Sequence, residues 1–160
     1  MKSKNTQKIV FTLLTAALLA FIFGNSAADG DTSSDFSLLV TGWLNSALAA
    51  VKIPLVLSHH FVRKLAHFSE YSLLGALLTA TVNAWRRREW KFRAVWLPLV
   101  FGLVTASLDE YLQTFVEDRF GTPLDSLLDF SGVLWAALAV SAFLAVRAKK
   151  KAEEGKLPTT

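Results

Sequence analysis

Cysteine is absent from the 160 residues, and methionine occurs once, at position 1. Disulfide scaffolds, thiol catalysis and cysteine-ligated metals are thereby excluded. Charge is scarce as well: charged residues make up 19% of the chain against 52% apolar. What charge there is avoids four runs, 9–28, 65–85, 94–116 and 126–146, apart from a few residues taken up below. Each run has about 20 residues, enough for a helix to cross roughly 30 Å of hydrocarbon. A soluble globular domain, a disordered tail and a β-barrel do not fit this pattern. Also missing are the Gly-x-Ser-x-Gly elbow, a Walker loop and His-Glu-x-x-His, so no familiar catalytic signature names a reaction.

What is present is a strongly segregated set of basic residues. Lys2, Lys4 and Lys8 precede the first run; Arg86, Arg87, Arg88, Lys91 and Arg93 join the second to the third; Arg147, Lys149, Lys150, Lys151 and Lys156 follow the fourth. These segments hold 13 of the 17 basic residues. Positive charge collects on the cytoplasmic side of spans, which predicts an all-α, polytopic four-transmembrane-helix bundle with both termini cytoplasmic. Trp85, Trp90 and Trp96 flank the basic loop as an interfacial belt would. A single domain over 1–150 is expected, with a frayed cytoplasmic tail at 151–160. The block 86–93 reads as a topological signal in contact with anionic lipid, and nothing in it points to nucleic acid.

Between the first two spans, apolar residues recur at 36, 39, 40, 43, 44, 47, 48 and 51, with Ser37, Thr41 and Asn45 on the other face. That period predicts an external amphipathic helix from Ser34 or Asp35 to near Lys52, before Pro54, lying on the membrane or capping the bundle. Residues 24–34 read as a mobile linker, and His59 as a solvated loop residue.

Ionisable groups inside spans cost about 2.5–3.5 kcal/mol near the bilayer centre on insertion scales, so they call for a reason. The second span carries His67 and Glu70, the third Asp109, Glu110 and Gln113, and the fourth Asp129. At 1.5 Å per residue, Glu70 lies about 9 Å in from Lys64, Glu110 about 9 Å in from Val116, and Asp129 about 6 Å in from Asp125. Three spans thus bring polar groups to one depth below the outer interface. Lys64, His67 and Tyr71 share one helix face, as do Asp125, Asp129 and Gly132. Arg119 sits in the turn above them, where it and Lys64 are available to pair with the carboxylates.

These residues also carry a likeness. Arg63-Lys64-Leu-Ala-His67-Phe-Ser-Glu70-Tyr71 with Gly75, then Asp109-Glu110-Tyr-Leu-Gln113, then Arg119, then Asp125-Ser-Leu-Leu-Asp129-Phe-Ser-Gly132 resembles the VanZ-like family. The likeness extends over about 9–146 and includes Phe23-Gly-Asn-Ser26. It implies a small four-span protein of the bacterial cell envelope, in a family named for a member linked to teicoplanin (lipoglycopeptide) resistance. By position, it carries over Lys64, His67, Glu110, Gln113, Arg119, Asp125 and position 129. The last is Asp here where the family usually has Asn. The first run, ending in Ser26-Ala27-Ala28, is open to reading as a cleaved signal peptide, but a retained anchor accords better with the resemblance.

The expected binding set is therefore Lys64, His67, Glu70, Tyr71, Asp109, Glu110, Gln113, Arg119, Asp125 and Asp129. His67 and Glu110 are the candidates for acid–base work, should there be a reaction. No metal set and no cofactor are expected, because His60, His67 and Glu70 lack a compact ligand spacing. Expected partners are membrane lipids and an envelope precursor or lipoglycopeptide. Three functions stay open: recognition of an envelope lipid, glycan or lipoglycopeptide; a membrane-embedded enzyme acting on a lipid-linked or cell-wall substrate; and a small transporter. The cytoplasmic halves of the spans disfavour the last, since no carboxyl lies in them and their polar groups are few, among them Thr79, Thr81, Asn83, Thr105 and Ser141.

Overall fold

A computed structural model describes residues 2–27, 30–86, 90–116 and 121–154. All regular structure among them is helical: α1 (Lys2–Ala27), α2 (Gly30–Ala50), α3 (His59–Trp85), α4 (Trp96–Gln113) and α5 (Pro123–Glu154), with a 3-10 turn at Phe92–Val95 leading into α4. Among the described residues, three stretches are long and apolar enough to cross a membrane: Lys4–Ala27, Phe92–Gln113 and Pro123–Glu154. Helix α3 is as long, but its polar residues keep it out of that set. It is the hub of the bundle, touching α1, α2, α4 and α5. A helix enclosed on several sides can carry polar residues that one facing lipid cannot.

The interior is thin. Ile22, Tyr71, Leu74, Leu78, Ala106 and Val133 form the buried core. Large apolar side chains cover the outside instead, among them Leu13, Phe101, Phe115 and Trp135. Exposed apolar surface of that extent belongs against lipid rather than water. Helices α3 and α5 approach each other closely. A Cβ built at Gly75 would fall 2.5 Å from the Val133 carbonyl oxygen, and one at Gly132 would fall 2.5 Å from that of Phe68. Only glycine allows backbones this near, as small residues do at membrane helix interfaces.

Contacts along the helices show which ends meet. Trp85 Nε1 donates to Thr12 Oγ1 at 3.0 Å, and Lys8 lies over the Trp85 ring. At that same basic end a cavity of about 770 Å³ is bordered by Lys4, Arg86, Trp90, Arg147 and Lys151. At the opposite end, Lys64 pairs with Asp125 and Glu110 reaches Thr122. Successive long helices therefore run up and down the bundle.

Two boundaries differ from expectation. Residues 24–34 are mostly helical rather than a linker, because α1 continues through Ala27 and α2 begins at Gly30. His59 is the first residue of α3 rather than a solvated loop residue, and its Nε2 meets Ser37 Oγ of α2. Helix α2 ends in a Schellman arrangement, with Ile53 N donating to Leu48 O and Lys52 N to Ala49 O, both at 3.0 Å. Lys52 takes the left-handed position, φ 57°, that glycine usually fills. Asn45 then holds the connection to α3 with both ends of its amide: Nδ2 donates to Leu57 O at 3.0 Å, and Oδ1 accepts from Leu57 N at 2.8 Å. Ser58 caps α3 by accepting from Phe61 N. The polar side of α2 thus faces the bundle, with Thr41 buried, while Leu39 and Trp43 point outward, Trp43 80% exposed.

Candidate functional site

The acidic end of the bundle gathers side chains from four helices. Asp109, Glu110 and Gln113 come from the last turns of α4, where i, i+1 and i+4 spacing puts all three toward the interior. They are 0%, 6% and 3% exposed, and Asp129 of α5 is 1% exposed. His67 of α3 sets Nδ1 3.5 Å from Asp129 Oδ1. The Gln113 amide nitrogen lies 3.4 Å from each of Ser26 Oγ, Asp109 Oδ2 and Glu110 Oε1, drawing the end of α1 into the cluster.

The start of α5 supports this arrangement locally. Thr122 is its cap: Asp125 N donates to Thr122 Oγ1 at 3.1 Å, and that hydroxyl donates to Asp125 Oδ2 at 2.9 Å. Pro123 follows at the first helical position, where its missing N–H costs nothing. The Thr122 backbone N–H, left over by the cap, donates to Glu110 Oε2 at 2.9 Å. Gly121 allows that approach, since a Cβ there would collide with the Glu110 carbonyl. Lys64 completes this layer by donating to Asp125 Oδ1. Both members of that pair are about one-third exposed, so the Lys64–Asp125 layer is the outer one and the cluster of His67, Asp109, Glu110 and Asp129 the inner one.

Several inner oxygens lack a hydrogen bond of good geometry, although His67 stands at ion-pair distance from Asp129. Asp109 Oδ1, both carboxylate oxygens of Asp129 and the Tyr71 hydroxyl are buried without a hydrogen bond. Tyr71 borders Asp109 and Asp129. Glu70 is half-buried, one turn from His67. His67, Asp109, Glu110 and Asp129 each offer a nitrogen or oxygen within 4.8 Å of the other three.

A groove of about 490 Å³ leads to this cluster between α4 and α5. Glu110, Thr114 and Thr122 give it a polar part, and Leu103, Tyr111 and Leu127 an apolar one.

Nine of the ten residues expected from the sequence thus come together, six in the inner cluster with Glu70 beside it, and Lys64 and Asp125 above it. Arg119, the tenth, lies outside the described residues. A family model described as VanZ/LLP1 matches residues 11–144. The chain belongs to the VanZ/LLP1 family. The match takes in the whole of Phe92–Gln113, most of Lys4–Ala27 and Pro123–Glu154, and every residue of the site. Neither curated proteins nor solved structures give a match to this VanZ/LLP1 member.

Ser26, Thr122 and Ser107 contribute here without having been singled out for this site from the sequence. Thr122 had a readable signal, since Thr-Pro-x-Asp before an apolar run marks a helix start. Ser107, which lines the groove, had none. A lone serine on a span carries no pattern.

Chemically the site is rich in acceptors. Three buried carboxylates and an imidazole favour ammonium groups, hydroxyl donors or a cation.

Proposed function

We propose that this VanZ/LLP1 protein is a four-span membrane protein of the bacterial cell envelope, with both termini cytoplasmic, whose acidic end faces outward and recognises the polar part of an envelope lipid, glycan or lipoglycopeptide. The groove between α4 and α5 carries the reading: its lining joins the Glu110 carboxylate and Thr122 to the apolar Leu103 and Leu127. An amphiphile matches that distribution, with hydroxyl or amino donors toward Glu110 and Thr122 and acyl chain along Leu103 and Leu127. Recognition of a lipoglycopeptide at the same place would contribute to teicoplanin-type resistance.

The fourth span in this reading is α3, sheltered by its neighbours. The basic end supports a cytoplasmic placement, since the cavity bordered by Lys4, Arg86, Arg147 and Lys151 suits an anionic phospholipid headgroup. Helix α2, with its apolar face outward, lies at the outer membrane interface. The nearness of His67 to Glu110 favours a second reading, an enzyme using them as acid and base on a lipid-linked or cell-wall substrate.

Mass spectrometry of molecules retained by the purified protein tests the first reading. Ser107 is exposed in the groove wall and outside the cluster. Ser107→Phe should fill the groove, lose the retained amphiphile and melt like the parent. Unchanged retention by that variant would rule out the groove. Conversion of the retained molecule on incubation would select the enzyme.

A further inference from the structure

The geometry points to a binding site for one divalent first-row transition cation, of the manganese–iron–zinc class, formed by His67, Asp109, Glu110 and Asp129. It shares the cluster with the headgroup reading but does not depend on any amphiphile. Two observations carry it independently. The first is the donor set: an imidazole nitrogen and three carboxylate oxygens, from α3, α4 and α5, all within 4.8 Å of one another. Ligands about 2.1 Å from a tetrahedral zinc stand roughly 3.4 Å apart, and opposite ligands of an octahedral ion about 4.2 Å. The 4.8 Å spread of the donor atoms is close to both figures.

The second is the state of those oxygens. Asp109 Oδ1 and both oxygens of Asp129 are buried without a hydrogen bond, on residues 0% and 1% exposed, with only His67 Nδ1 at 3.5 Å from Asp129 Oδ1 and the Tyr71 hydroxyl close by. Leaving acceptors unpaired at that depth is expensive, and a cation satisfies several at once. The remaining partners are arranged as an outer shell. Thr122 N holds the second oxygen of Glu110, and the Gln113 amide stands beside the other oxygen of Asp109. Such contacts orient metal ligands and tune their strength. Lys64 is tied to Asp125 and brings no positive charge into the inner group.

Donor chemistry sets the class. One nitrogen with three oxygens suits manganese, iron or zinc, while magnesium and calcium take oxygen ligands throughout. The sequence spacing gave no sign of the site because only Asp109 and Glu110 are near in sequence, and as neighbours they do not form a helical ligand pair.

The test uses the full chain in detergent, stripped with chelator and free of added lipid. Zn²⁺, Mn²⁺ and Mg²⁺ are added separately, with bound metal measured by elemental analysis and affinity by calorimetry. About one Zn²⁺ or Mn²⁺ per chain should bind with a rise in melting temperature, and Mg²⁺ should bind far more weakly. Asp129→Asn and His67→Gln should each lower affinity by about tenfold or more, scaled from the effect of outer-shell changes. Glu153→Gln, exposed at the basic end, should leave it unchanged. Co²⁺ should give a visible absorption band that changes in His67→Gln. If the parent binds no stoichiometric transition metal, or Asp129→Asn and His67→Gln both bind like the parent, the site is overturned. Retained amphiphile in chelator would then show the headgroup reading surviving alone. Metal binding without a retained amphiphile would show the reverse.

Discussion

Replacing glycine by alanine in a helix normally stabilises it by about 0.5–1 kcal/mol, because alanine has less backbone freedom to lose. At Gly132 the sign should reverse. A Cβ there falls 2.5 Å from Phe68 O and 3.0 Å from Ser72 N, where ordinary contact begins at 3.4 Å. The obstructing atoms are backbone, so α5 must withdraw from α3 by about 0.9 Å, the difference between 3.4 and 2.5. A gap of that size forfeits a quarter to a half of each affected dispersion contact. Overpacking of this kind costs about 1–3 kcal/mol, which outweighs the helix-propensity gain. Asp129 lies one helical turn from Gly132, so its 3.5 Å approach to His67 should open too. Gly42, on α2 with nothing within 4 Å, is the control and should show only the gain. Thermal unfolding in detergent, followed by circular dichroism, reads both. Gly132→Ala melting at or above the parent would refute close packing as the role of this glycine.

Other outcomes follow from single contacts. Lys52→Gly should stabilise the α2 terminus by about 1 kcal/mol, since glycine adopts the left-handed backbone without steric cost; an unchanged or lower melting point would count against the Schellman ending. Asn45→Ala removes two hydrogen bonds to Leu57 and should cost about 1–3 kcal/mol, with faster amide exchange or proteolysis over 51–58; protection equal to the parent would contradict the clamp. A double-mutant cycle on Lys64 and Asp125 should give a coupling of about 1 kcal/mol or less, because both are partly solvated, and several kcal/mol would mean a buried pair. For the proposed topology, Leu55→Cys should react with an impermeant maleimide on intact cells and Lys150→Cys should not; the opposite pattern would invert the orientation.

The sequence by itself determined that this is a helical membrane-type protein of the VanZ/LLP1 family. Helix length, apolar runs and the ordered string from Lys64 to Asp129 are local properties, legible without knowing which helices touch. Basic residues at alternate connections made the up-and-down order readable in the same way, and the shared depth of His67, Glu110 and Asp129 followed from rise per residue alone. Azimuth around each helix was a different matter. Periodicity marked α2 as amphipathic, but only packing decided that Ser37, Thr41 and Asn45 turn inward and Trp43 outward. That inversion arises because the surroundings of the bundle are apolar, so polar groups find their partners inside. The site followed the same rule. Sequence put carboxylates and an imidazole at one level, and spacing along one chain could not say that they would converge within 4.8 Å. That convergence is set by Gly75 and Gly132, which let α3 and α5 meet backbone to backbone, and by the Thr122 cap, which brings the start of α5 onto Glu110. Distances between helices depend on which side chains are missing at the crossing, and the tertiary structure alone shows where the crossing falls.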